Sequence, residues 1–108
     1  MQIYKCNNSA VEAIKKDGEC LIQGFGGSME PILHSGDVFK FSLVEENTEL
    51  NKNDIVFCKV HGNLFLHKIT AINGERIQIG NNRGNINGWT TRKHIYGKFV
   101  EVIDKNNR

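Results

Sequence analysis

Residues 54–80 read DIVFCKVHGNLFLHKITAINGERIQIG, and their pattern decides the fold. Val, Ile, Leu and Phe fill 54–60, 64–72 and 76–80, side chains suited to a pleated, partly buried surface. Between these runs stand His61-Gly62-Asn63 and Asn73-Gly74. An Asn-Gly pair between apolar runs is the strongest short hairpin signal, because a tight two-residue turn requires positive φ. The stretch therefore predicts two consecutive antiparallel hairpins.

The same reading extends outward. In VFKFSLV (38–44), Phe39, Phe41 and Leu43 fall on one face by the period of two. HIYGKFVEVI (94–103) reads as the last strand and ECLIQ (19–23) as a short early one. EENTELNKN (45–53) reads as a polar connection, and NNRGNINGWTT (81–91) as a long loop rich in Asn and Gly. Ser9 to Glu12 fits a capping box, with Ser9 as N-cap and a helix running to Asp17 before Gly18. One helix and about six strands joined largely by hairpins imply a mainly β fold. The expected form is a coiled antiparallel sheet or partly open barrel with one short N-terminal helix.

A length of 108 residues implies one domain: helix and first strand in 1–23, β core in 24–103, tail in 104–108. The formal net charge of +2 is too small to point by itself to nucleic acid or membrane. No apolar run approaches the ~20 residues of a membrane span. The start, MQIYKCNNSAVEAIKK, lacks the basic-then-apolar plan of a signal peptide, so the reading is cytoplasmic. Cys6, Cys20 and Cys58 are an odd set without close pairs, which reads as reduced thiols. Cysteine and histidine spacing shows no ligand pattern, so neither metal nor cofactor is expected.

GGSMEPILHSGD (26–37) fits neither helix nor strand. Gly24, Gly26 and Gly27 on one side and Pro31 on the other suit a fixed irregular loop that displays the Ser28 hydroxyl. Such a hydroxyl is a weak nucleophile until a base lies within hydrogen-bond reach. His34 lies in the loop itself, His61 in a turn and His94 at the start of a strand. His67 differs: it shares a strand face with Phe65 and Ile69. A polar ring on an apolar face needs a partner. On the residues alone, His67 reads either as a core histidine bonded to a backbone carbonyl or as a base for Ser28.

Gly27-Ser28-Met29-Glu30-Pro31-Ile32-Leu33-His34-Ser35-Gly36-Asp37 resembles the serine box of the signal-peptidase/LexA superfamily of serine peptidases. Asp54-Ile55-Val56, Leu66-His67-Lys68-Ile69, Gly80-Asn81-Asn82 and Ile95-Tyr96-Gly97-Lys98-Phe99 resemble that family's later segments, in order. Histidine at 67 is the pattern of the endoplasmic-reticulum and archaeal-type signal peptidases.

The resemblance implies a serine endopeptidase of the LexA/signal-peptidase fold that cleaves a precursor or leader peptide in trans. Ser28 would be the nucleophile and His67 the general base. Gly26, Gly27, Ser28, Met29 and Pro31 would form the oxyanion loop, with the Ser28 N–H as donor and Met29 packed beneath the channel. Gly26 stands where many relatives carry a serine whose hydroxyl also donates. Asp37 is expected to cap a turn. Acidic residues of the His-type relatives fall at Asn81 and Asn87 here. One of these two is expected to orient His67: Asn81 first, because Gly80-Asn81-Asn82 follows a strand directly, and otherwise Asn87, which lies deep in a loop where a solvated side chain is the plainer reading. The residues before Ser28 contain no Ala-Gly or Cys-Gly pair, so self-cleavage is not expected. No membrane anchor is apparent, and a monomer or weak dimer is expected.

Two other readings compete. A catalytically weak or inactive pseudo-peptidase would keep the channel to hold an extended peptide. A nucleic-acid binder would use Arg83, Trp89, Arg92 and Lys93, but the small net charge favours no nucleic acid.

Overall fold

The structure is a computed structural model, and it describes residues 2–105. Eight strands form one open sheet: β1 (Ile3–Tyr4), β2 (Glu19–Gln23), β3 (Val38–Leu43), β4 (Ile55–Val60), β5 (Asn63–Asn73), β6 (Arg76–Gly80), β7 (Ile86–Thr91) and β8 (Ile95–Asp104). Their order is β1-β2-β3-β8-β4-β5-β6-β7. Among the described residues only β1 and β2 pair in parallel; every other neighbouring pair is antiparallel. Among the described residues there is one α-helix, α1 (Asn8–Asp17), between β1 and β2 in the chain, and a short 3₁₀ turn, Arg92–His94, leads into β8. The architecture is mainly β with one short helix, in an open sheet that does not close on itself.

Both expected hairpins form. Val60 pairs with Asn63 across His61-Gly62, whose φ values are 50° and 82°. Asn73 pairs with Arg76, so the second turn is centred on Gly74-Glu75, one residue later than Asn73-Gly74 suggests. The helix also begins earlier than expected. Its N-cap is Asn7, not Ser9: Asn7 Oδ1 accepts from the N–H groups of Ser9 (3.1 Å) and Ala10 (3.3 Å). Both residue types cap well, and the capping box has no feature that excludes an earlier Asn. Gly18 ends the helix in the left-handed region, as expected.

Two strands went unread in the sequence. β1 is two residues long and pairs in parallel, which leaves no local pattern. β7 occupies Ile86–Thr91, within the segment expected to be a loop. There a register shift separates Gly80↔Ile86 from Ile79↔Gly88, so Asn87 is the extra residue of a bulge. The bulge breaks the alternation that would have marked the strand.

The buried side chains form two clusters. One joins Ala10, Val11 and Ile14 of α1 to Ile22, Phe39, Phe41, Phe57, Tyr96, Met29 and Leu33. The other holds Val56, Cys58, Val60, Ile69, Ile77, Ile79 and Ile95. β4 divides them, with Phe57 facing one cluster and Val56 and Cys58 the other. Burial on both faces explains why IVFCKV is apolar at nearly every position. Aromatic rings set much of the first cluster; Phe57 and Tyr96 meet edge-on at 5.7 Å between centroids, and Phe41 and Phe99 at 5.9 Å. Among the described residues no helix is long and apolar enough to cross a membrane.

Candidate active site

The loop between β2 and β3 carries Ser28. Met29 and Leu33, each 4% exposed, sink into the first core cluster and root the loop there. At its base, Gly24 N–H donates to Asp37 O (2.9 Å) and Gly36 N–H to Gly24 O (3.1 Å). Its far side is clipped to the segment after β6. Asn82 N–H donates to Ser28 O (3.0 Å), Asn82 Nδ2 to Met29 O (3.1 Å) and Arg83 Nε to Gly27 O (3.3 Å). Bonds to carbonyls on three successive residues fix the loop on either side of the serine. The Glu30–Pro31 peptide is cis, and Pro31 is exposed.

His67 comes from β5. It pairs with Val56 across the hairpin and faces the same way as Phe65 and Ile69. Its ring stacks on Phe65, with centroids 4.9 Å apart and planes at 24°. Ser28 Oγ lies 3.0 Å from His67 Nε2, although 39 positions separate the two in sequence. On the other side of the ring, His67 Nδ1 lies 2.7 Å from Asn87 Oδ1. An amide oxygen can only accept, so Nδ1 carries the proton and donates to Asn87. Nε2 is then bare and accepts the Ser28 hydroxyl proton. Of the two readings of His67, the one satisfied by a backbone carbonyl does not hold.

Burial lowers the His67 pKa from its ordinary 6.5, and the hydrogen bond to Asn87 offsets part of that effect. The imidazole is therefore neutral at pH 7, the form able to take a proton.

The expected role of Asn81 is corrected. Asn81 is buried, and its Oδ1 accepts from Arg83 N–H (2.8 Å) and Asn85 N–H (3.1 Å). It closes the turn that carries Asn82 and Arg83 to the serine loop and does not meet His67. The orienting contact belongs to Asn87, which the β7 bulge turns toward the ring. Gly88 follows with φ +137°, and a Cβ there would lie 2.7 Å from His61 Nε2. A side chain at 88 would thus collide with the first hairpin turn and displace Asn87. The signal in sequence was Asn-Gly inside a β-rich stretch, which marks bulges as well as turns.

Gly26 has φ +85° with open space around it. The left-handed backbone, rather than crowding, selects glycine there. A serine at this position would sit in a strained conformation. Gly26 N–H is engaged by Ser35 Oγ (3.1 Å). The Ser28 N–H makes no hydrogen bond among the described residues.

The other histidines lie apart. His34 Nδ1 faces Glu30 Oε1 at 3.4 Å, His61 covers Gly88, and His94 lies near Thr90 and Thr91. Two of the three cations expected in a nucleic-acid loop are drawn into internal contacts, while Lys93 is exposed. Arg83 holds Gly27 O, and Arg92 Nη2 holds the carbonyls of Glu45, Glu46 and Thr48. Trp89 packs against the Arg76 guanidinium, 5.5 Å from its ring centroid.

Ser28 and His67 line a cavity of about 400 Å³ together with Phe25, Met29, Leu33, Phe39, Leu64 and Leu66. Two backbone edges border it. Gly24 bonds to Gly36 and Asp37 through both its N–H and its C=O, whereas the N–H and C=O of Phe25 make no hydrogen bond among the described residues. On β5, pairing with β6 begins only at Lys68, so Asn63–His67 has no strand on its outer edge among the described residues. No protein-family model matches this chain, and no curated protein matches it.

Proposed function

We propose that this chain is a serine peptidase of the signal-peptidase/LexA type, with Ser28 as nucleophile and His67 as general base. The observation that carries the reading is the relay Ser28 Oγ–His67 Nε2 (3.0 Å) and His67 Nδ1–Asn87 Oδ1 (2.7 Å). It supplies a nucleophile, a neutral base in the required tautomer and an acceptor that fixes that tautomer. Its residues come from three separate parts of the chain, and the serine box and the His segment are those quoted above.

The reaction follows from these groups. Ser28 Oγ bonds to the peptide carbonyl carbon as its proton passes to His67 Nε2. The Ser28 N–H is free to donate to the oxyanion. His67 returns the proton to the leaving nitrogen as the C–N bond breaks, and water then hydrolyses the Ser28 ester by the same route. The substrate is an extended segment of a precursor or leader peptide, supplied in trans. The two open edges beside the cavity suit strand addition, which gives affinity through main-chain hydrogen bonds.

A second reading, a slow or inactive peptide binder, draws on Asn87. Its neutral amide supplies no countercharge to the imidazolium, and in the serine-protease template an Asp-to-Asn change costs about 10⁴ in kcat, there through the wrong tautomer. Here Oδ1 faces Nδ1 and the tautomer is the productive one, which favours an active enzyme. The test is incubation with a degenerate peptide pool and mass spectrometry of the products. Cleavage by the wild type and none by Ser28→Ala supports the peptidase; equal patterns from both remove it.

A further inference from the structure

Five of the six phenylalanines are buried or half-buried, whereas Phe25 is 97% exposed. It lies three positions before Ser28 and lines the same cavity. Its backbone is held on both sides: Gly24 bonds to Gly36 and Asp37, and Gly26 N–H to Ser35 Oγ. The ring is therefore presented from a fixed backbone without packing contacts of its own. Around the same cavity, Leu64, Phe65 and Leu66 are half-buried along the open edge of β5.

We propose that Phe25 is a specificity-determining residue that closes over an apolar side chain of the bound peptide. This rests on the peptidase reading above. The Phe25 N–H and C=O make no hydrogen bond among the described residues, so a peptide that pairs with them runs past the ring. Binding then covers the phenyl group together with a large aliphatic or aromatic side chain. Because Gly24 and Gly26 already fix the backbone, little ordering cost remains for the loop. Burying one phenylalanine fully corresponds to roughly 10- to 100-fold in affinity.

The proposal predicts that cleaved members of a degenerate octapeptide pool are enriched in Phe, Leu, Ile or Met at one fixed position relative to the cut. Phe25→Ala should lose that enrichment and raise KM about 10- to 100-fold with little change in kcat. Phe25→Leu should restore most of it. Labelling of Ser28 by a small fluorophosphonate, which needs no peptide contact, should be unchanged in Phe25→Ala. Phe25→Trp in the Ser28→Ala background should give a fluorescence blue shift on adding the apolar peptides. Unaltered KM and enrichment in Phe25→Ala overturn the proposal. So does a blue shift with phosphatidylcholine vesicles but none with peptide, which would make Phe25 a membrane contact. If the wild type neither labels nor cuts, the peptidase reading fails, and Phe25 is then judged by binding alone. Retention of apolar peptides by the wild type but not by Phe25→Ala keeps the proposal, and equal retention removes it.

Discussion

Asn87 Oδ1 lies 2.7 Å from His67 Nδ1, on the side of the imidazole away from Ser28. A neutral amide thus occupies the place where a serine-protease relay carries a carboxylate. It fixes the tautomer without adding charge, so a protonated His67 would have an amide rather than a carboxylate at Nδ1.

Replacing that amide by a carboxylate adds a negative charge at nearly constant shape and turns the NH2 donor into an acceptor. In Asn87→Asp the acid limb of the peptide-cleavage profile should move to higher pH, because a nearby anion favours the protonated imidazole. The kcat on the plateau should rise. Asn87→Leu, which cannot accept, should lower kcat by roughly 10²–10⁴-fold. Coincident profiles for wild type and Asn87→Asp would show that the contact has no role in catalysis.

Asn81 should behave differently. It organises the 81–85 turn, so Asn81→Ala should cost about 1–3 kcal/mol of stability through lost buried hydrogen bonds. The midpoint of the acid limb should stay where it is in wild type. Urea denaturation and the pH profile together separate the two asparagines, and a shifted limb in Asn81→Ala would contradict the assignment.

Gly88→Ala should destabilise the protein and reduce kcat, because the new Cβ meets His61 and displaces the Asn87 bulge. Combining it with His61→Ala removes the collision but leaves the φ of +137°, so the double variant should recover only part of the stability. Full recovery would mean that backbone conformation at 88 is unimportant.

Burial sets two pH windows for stability. His67 titrates below its ordinary 6.5 when folded, so the unfolded chain binds more protons just below pH 6.5. The His67 contribution is present above that pH and is lost as pH falls through the folded pKa; His67→Gln should flatten this limb. Burial raises the Cys6 and Cys20 thiols from 9.0 to about 11. Their contribution is present below pH 9.0 and declines as pH rises toward about 11. Denaturation midpoints across pH 5–10 measure both, and native thiols should react slowly with iodoacetamide at pH 8. Fast alkylation of Cys20 would contradict its burial.

The parts of the fold legible in sequence were those with local causes. The β4–β5–β6 hairpins follow from turn residues between apolar runs, and β3 from alternation of Phe39 with Phe41. Ser28 and His67 could be singled out because one lies in a glycine-rich box and the other is polar on an apolar face. Asn87 could be named only as the second candidate for orienting His67. Its role depends on a bulge between β6 and β7, and the same bulge hides the strand that carries it. Asn81, which adjoins a legible strand end, attracted the assignment for that reason. Phe25 gave no signal either, because a phenylalanine beside a strand end reads as core until its exposure is known.

The central claim is that Ser28 is a nucleophile activated by His67. Its most direct measurement is the rate at which a fluorophosphonate labels the folded protein as a function of pH, with the modified residue mapped by mass spectrometry. The account predicts a single adduct on Ser28, absent in Ser28→Ala and strongly slowed in His67→Gln. The rate should rise with pH through a midpoint below 6.5. No adduct on Ser28 under conditions where the protein is folded, or labelling equally fast in His67→Gln, would contradict it.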